Sequence, residues 1–141
     1  MECFRTEHIS LSPEDTAAFG ENIARDLRSG AVIALSGALG AGKTCLVKGI
    51  ARGLGISENI TSPTYTIINE YFGNDLTLYH IDAYRLNGDE DFENTGAGEC
   101  INGNGITVIE WSERIPRSIV PHALRIHISI AGPDRRIIRM P

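Results

Sequence analysis

The eight residues Gly37-Ala38-Leu39-Gly40-Ala41-Gly42-Lys43-Thr44 fill every fixed place of the pattern G-x-x-x-x-G-K-[ST]. These residue types suit one task, the cradling of a nucleoside triphosphate. Glycines let the backbone turn its N–H groups inward around an anion, where a side chain would obstruct the approach. Lys43 is placed to reach the β and γ phosphates. The hydroxyl of Thr44, at the partly positive start of a helix, is placed to bind Mg²⁺.

Mg²⁺ beside such a loop also needs a carboxylate at the end of a neighbouring strand. Glu110, directly after the apolar run Ile106-Thr107-Val108-Ile109, fits that place, and Glu113 is a weaker candidate on the next turn. Asp82 ends another apolar run within His80-Ile81-Asp82-Ala83-Tyr84-Arg85-Leu86. It either orients water, free or metal-bound, near the γ-phosphate or is an ordinary strand-end acid. His80 reads as a packed strand histidine, since nothing in the sequence places a carboxylate beside it. Arg85 binds phosphate or pairs with an acid, and Trp111 is either core or an interface anchor. Thr61-Ser62-Pro63-Thr64 is a hydroxyl-rich bend that reads first as a plain turn and only second as a switch sensing the γ-phosphate.

A phosphate loop needs a strand before it and a helix after it. Ala31-Val32-Ile33-Ala34-Leu35 is a continuous apolar run of buried-strand type, and Leu46, Val47, Ile50, Ala51 and Leu54 then repeat at helical spacing. Gly53-Leu54-Gly55 supplies the stop. Upstream, Phe4 to Ile9 suggests a short edge strand. Ser12-Pro13-Glu14-Asp15 combines an N-cap, a proline at the first helical position and an acid at N3, so a helix is expected from there to about Arg28. Its apolar face carries Phe19, Ile23 and Leu27.

Downstream, Tyr65 to Phe72 and Leu76 to Ile81 flank Gly73-Asn74-Asp75 and read as a β-hairpin. A hairpin has no place in a purely parallel sheet, so a mixed sheet is expected. Leu124 to Ile130 and Arg136 to Met140 alternate like two further strands across the turn Gly132-Pro133-Asp134. Residues 87–105 are the most polar stretch, with Asp89, Glu90, Asp91, Glu93 and Glu99 against no Lys or Arg. They read as a solvated loop with room for one short helix, and as a partner surface only second.

At 141 residues the chain is one domain's worth and can bury a core without disulfides or metals. The expected fold class is therefore α/β: a single phosphate-loop domain over 1–141, with a mixed parallel and antiparallel sheet flanked by helices. Cys3, Cys45 and Cys100 are odd in number and lack C-x-x-C spacing, which opposes a disulfide framework and a zinc site. No apolar run reaches the length of a membrane span, and the N-terminus has no secretory pattern, so a cytoplasmic location is expected. The formal net charge is −5 and the only lysines are Lys43 and Lys48. Tight binding of RNA or DNA by the isolated chain is therefore not expected.

Four motifs in order, Leu39-Gly40-Ala41-Gly42-Lys43-Thr44, Ser62-Pro63-Thr64-Tyr65-Thr66, His80-Ile81-Asp82-Ala83-Tyr84-Arg85-Leu86 and Val108-Ile109-Glu110-Trp111, resemble the TsaE family over about residues 8–131. That family is the ATPase subunit of the bacterial machinery that makes threonylcarbamoyladenosine in tRNA. The resemblance implies ATP and Mg²⁺ as ligands, ADP as product, and TsaB and TsaD as partners, with the threonylcarbamoyl chemistry carried out elsewhere. It implies nucleotide contacts along Gly37, Leu39, Gly40, Ala41, Gly42, Lys43, Thr44 and Cys45. It also implies Mg²⁺ ligands at Thr44 and Glu110, an essential aspartate at Asp82 and an activity-associated tryptophan at Trp111. This chain departs from the family pattern at Ala38, where a polar or acidic residue is usual, at Cys45 in place of threonine, and at Ser112 in place of proline.

Two other functions share the loop. A small-molecule kinase needs a mobile cationic lid, and the candidate lid at 87–105 has no cation. A nucleotide-sensing switch without turnover is suggested by Ala38. A guanine-specific Asn-Lys-x-Asp motif is absent from the sequence. Thr16 and the pair Arg135-Arg136 are the candidates for holding adenine.

Overall fold

The computed structural model describes residues 4–38, 40–61, 68–86, 89–115 and 120–141. Ser12 begins the first helix, α1 (Pro13–Arg25): its backbone is extended and its hydroxyl accepts from the Asp15 N–H at 3.0 Å. The helix ends at Arg25 and not near Arg28. The next N–H groups, of Asp26 and Leu27, turn to Ile23 and Ala24 in tightened i→i−3 bonds. The chain then enters strand β2 (Val32–Ser36). Helix α2 (Lys43–Gly53) follows the loop, and Ile56 N–H closes its end onto Ala51.

Helices α1 and α2 pack directly on each other because small residues face across. A Cβ on Gly49 would lie 1.9 Å from the Ala17 carbonyl oxygen, so only glycine permits this approach. Beneath them Leu46, Val47 and Ile50 meet Ile33, Leu35, Val108, Ile126 and Ile128, all fully buried. Each such side chain contributes about 1.5–3 kcal/mol.

The remaining strands are β1 (Thr6–Ser10), β3 (Ile68–Phe72), β4 (Thr77–Asp82), β5 (Ile106–Glu110), β6 (Leu124–Ile130) and β7 (Arg136–Met140). They form one seven-stranded sheet in the order β1-β7-β6-β2-β5-β4-β3. The centre, β6-β2-β5-β4, is parallel, while β3, β7 and β1 pair antiparallel at the edges. This is the mixed α/β sheet expected from the hairpin, which runs Ile68↔Ile81 to Phe72↔Thr77.

The acidic stretch differs from expectation. It holds two short helices, α3 (Asp89–Asn94) and α4 (Ala97–Ile101), joined through Gly96 at φ 81°. Phe92 and Ala97 are buried against Ile81 and Ile109 in a second core on the sheet face opposite α1 and α2. The acids Glu90, Glu93 and Glu99 stay exposed. Three apolar residues, Phe92, Ala97 and Ile101, are too sparse to show a helical period, so composition concealed a structural layer. Among the described residues no helix is long and apolar enough to cross a membrane.

Candidate functional site

Strand alternation assembles the acids. On β4 the residues Leu78, His80 and Asp82 point to one face, and on its parallel neighbour β5 so do Ile106, Val108 and Glu110. Leu78, Ile106 and Val108 belong to the core under α2. His80, Asp82 and Glu110 therefore continue that face to the carboxyl ends of the strands. Asp82 stands opposite Glu110 in the ladder, and Leu35 of β2 stands opposite Glu110 on the other side. The glycine-rich loop leaves β2 one residue after Ser36, which brings it over the same edge.

The loop turns as its glycines allow: Gly37, Gly40 and Gly42 have φ of 146°, 79° and 103°. A Cβ on Gly37 would meet the Ile128 carbonyl oxygen at 2.4 Å. Leu39, counted among the expected nucleotide contacts, lies outside the described residues, as does Ser62 to Thr66. Lys43 opens α2 and is only 5% exposed. Its ammonium donates to the carbonyls of Gly37 and, at 3.1 Å, Ala38, and lies 3.7 Å from the centre of the Trp111 ring. Burial pushes the Lys43 pKa down, while the carboxylates of Glu110, Glu113 and Asp82 work the other way. Burial is the larger effect.

Thr44 Oγ1 lies 3.4 and 3.3 Å from the two carboxylate oxygens of Glu110. That carboxylate is itself buried and is held by His80 Nε2. Asp82 takes the Tyr84 N–H on Oδ1 at 3.0 Å. Burial raises its pKa, the Tyr84 bond opposes this, and nearby Glu110 adds to the rise. Glu113 is exposed, and its Oε2 lies 3.4 Å from the Gly37 N–H at the mouth of the loop.

Among the described residues no group of three or more His, Cys, Asp or Glu side chains could hold a metal ion by themselves. One hydroxyl with one or two carboxylates is instead a donor set that suits Mg²⁺, which keeps waters and takes phosphate oxygens for its other ligands.

On the far side of the loop a cleft of ≈ 180 Å³ is lined by Ser12, Thr16, Gly40, Cys45, Asp134 and Arg136 among others. This is below the roughly 300 Å³ at which pockets for whole ligands begin. It suits part of a nucleotide only. Thr16 is buried, its hydroxyl bonded to Ser10 at 2.6 Å. Of the two arginines proposed for adenine, Arg136 lines the cleft and Arg135 is exposed. Arg136 donates to Ala41 at 3.1 Å, Gly40 at 3.3 Å and Gly132 at 3.0 Å, so it also ties the loop to the β6–β7 turn. The Cys45 thiol donates to the Pro13 carbonyl at 3.1 Å, and burial raises its pKa.

Sequence reasoning missed two relationships. His80 does have a carboxylate beside it, that of Glu110. The correction comes from the pairing of β4 with β5, which neither strand's residues announce. The only available signal was that both apolar runs end in acids. Trp111, read as either core or an interface anchor, is half-buried, packs at 4.9 Å on Tyr84 and faces Lys43, a neighbour the sequence did not announce. It also adopts a left-handed backbone, φ 59°, the only non-glycine to do so among the described residues. Arg85 is exposed.

The geometry can be set beside known proteins. The family described as "Threonylcarbamoyl adenosine biosynthesis protein TsaE" matches residues 10–138. The tRNA threonylcarbamoyladenosine biosynthesis protein TsaE of Treponema pallidum (strain Nichols) is 48% identical over 130 residues, 92% of this chain and 96% of that protein. The protein of the same name from Bacillus subtilis (strain 168) is 41% identical over 129 residues, 92% of this chain and 80% of that protein. The crystal structure of Bacillus subtilis YdiB superposes with a TM-score of 0.79 at 34% identity, covering 99% of this chain and 87% of that one.

Proposed function

The chain belongs to the TsaE family, and from that premise we propose that it is the Mg²⁺-dependent ATP-binding and hydrolysing subunit needed to make threonylcarbamoyladenosine next to the tRNA anticodon. It acts in the cytoplasm as a single phosphate-loop domain with TsaB and TsaD, and does not carry out the transfer itself. One observation carries the ATPase reading: Lys43, Thr44, Asp82 and Glu110 come from three separate elements yet converge at the carboxyl ends of the parallel strands.

In this reading the N–H groups of the loop and the Lys43 ammonium neutralise the triphosphate. Thr44 and Glu110 hold Mg²⁺, which supplies charge stabilisation at the phosphoryl oxygens when bound. Asp82 has one oxygen engaged by Tyr84, leaving Oδ2 to orient the attacking water. Its raised proton affinity makes it the better acceptor of that water's proton. Arg136 and Thr16 border the space offered to the base or ribose.

A kinase is disfavoured further because the stretch that would have to serve as its mobile lid forms α3 and α4, whose Phe92 and Ala97 are packed into a core. A switch without turnover keeps the support of Ala38. Measuring ATP hydrolysis by the chain alone and with TsaB plus TsaD separates the readings: strong stimulation is expected, and its absence would leave the switch.

A further inference from the structure

His80 takes no part in the hydrolysis proposed above, yet it is fully buried at 0% exposure. Its Nδ1 has no hydrogen-bond partner among the described residues, and its Nε2 meets Glu110 Oε2. An apolar residue such as Leu78, two places earlier on the same face, would fill that space without burying an unpaired nitrogen. The imidazole must therefore be explained by the one bond it does make. The carboxylate oxygen accepts, so Nε2 carries the hydrogen and donates.

Glu110 needs such a partner. It ends β5 opposite Asp82, so two carboxylates face one another across the ladder and repel. A glutamate side chain with free torsions would swing away from Asp82. The ring of His80 is held by a strand in register on both sides, Asn69 on β3 and Val108 on β5, and so gives a rigid donor.

We propose that His80 is a positioning residue for Glu110: its Nε2–H pins Oε2 so that Oε1 and the Thr44 hydroxyl are presented together to a divalent cation. The inference rests on the reading of Thr44 and Glu110 as Mg²⁺ ligands. It is a role in cation binding, one shell behind the ligand, and such partners are commonly worth about 10–100-fold in metal affinity.

The test titrates Mg²⁺ into ADP-loaded protein by calorimetry and measures ADP affinity separately in EDTA. His80→Leu is expected to weaken Mg²⁺ by about 10–100-fold while ADP affinity in EDTA stays within about twofold. His80→Gln keeps an N–H near the position of Nε2 and is expected to hold Mg²⁺ affinity within about threefold of wild type. Equal losses with and without Mg²⁺, unchanged Mg²⁺ affinity in His80→Leu, or a His80→Gln variant no better than His80→Leu would each overturn the positioning role while leaving the ligand assignment standing. A wild-type protein whose ADP affinity ignores Mg²⁺ would overturn both. Should His80→Leu fail to fold, the wild type decides: in protein carrying ¹⁵N-histidine, Mg²⁺ added to the ADP-loaded form must shift the His80 Nε2 resonance, and a stationary resonance overturns the inference.

Discussion

The ammonium of Lys43 rests 3.7 Å from the centroid of the Trp111 indole while donating to the carbonyls of Gly37 and Ala38. A bound triphosphate would compete for that ammonium with a far stronger charge than a ring face and two carbonyls. Trp111 is the only tryptophan in the chain, so its emission reports on Lys43. ATP is expected to change the emission, and Lys43→Ala to weaken ATP binding by about 10–100-fold, the worth of about one charged hydrogen bond. Calorimetric affinity unchanged in Lys43→Ala would rule out the phosphate role.

Glu110→Gln removes a charge while keeping the shape of the side chain. If Glu110 is a Mg²⁺ ligand as proposed, binding of ADP with Mg²⁺ is expected to fall by about tenfold or more and binding in EDTA to change little, because the lost charge would face a cation and not a phosphate. Paired titrations with and without Mg²⁺ measure this, and equal losses would speak against the assignment.

Asp82→Asn is expected to leave ATP affinity within a few-fold and to lower partner-stimulated hydrolysis by about 10²–10⁴-fold, the usual range for general acid–base groups. Loss of binding as well would make Asp82 structural. The same variant tests the electrostatics. A carboxyl whose folded pKa is raised contributes stability that is present below its unfolded pKa and lost as pH rises through the folded value. The aspartate thus destabilises the fold at neutral pH relative to asparagine, which can still accept from Tyr84. Thermal melts should show Asp82→Asn above wild type at pH 7, with the gap closing as pH falls toward the ordinary carboxyl range near about 4.

Gly49→Ala should be favourable by helix propensity, by about 1 kcal/mol. The Cβ would nevertheless lie 1.9 Å from the Ala17 carbonyl oxygen, against backbone that cannot rotate away. A net loss of about 1–3 kcal/mol is expected in urea denaturation as α1 and α2 are forced apart. A stabilised variant would mean that the two helices pack less closely.

The net charge of −5 and the exposed acids Glu90, Glu93 and Glu99 oppose contact with phosphate backbones. The isolated chain should bind tRNA no more tightly than the roughly 10⁻⁴–10⁻⁶ M of nonspecific association at physiological salt. It should instead join TsaB and TsaD in a nucleotide-dependent manner. Filter binding and co-purification measure the two, and submicromolar, salt-resistant tRNA binding would contradict the account.

Features set by residues adjacent in the chain were legible from sequence: the loop and its glycine conformations, the Ser12 cap, and strands β5 to β7, whose apolar runs match their observed spans. The hairpin's turn chemistry also foretold a mixed sheet. What tertiary structure alone decided is which strands are neighbours. Placing β4 in parallel beside β5 turned Asp82 and Glu110 into a facing pair and set His80 against a carboxylate. Folding Trp111 back through a left-handed residue put an indole over Lys43, and the β6–β7 turn laid Arg136 on a loop 95 residues away. Local propensity and periodicity reflect interactions within a few residues, which any segment carries with it. Register and strand order follow from burying two faces of a sheet at once, and that is a property of the whole chain.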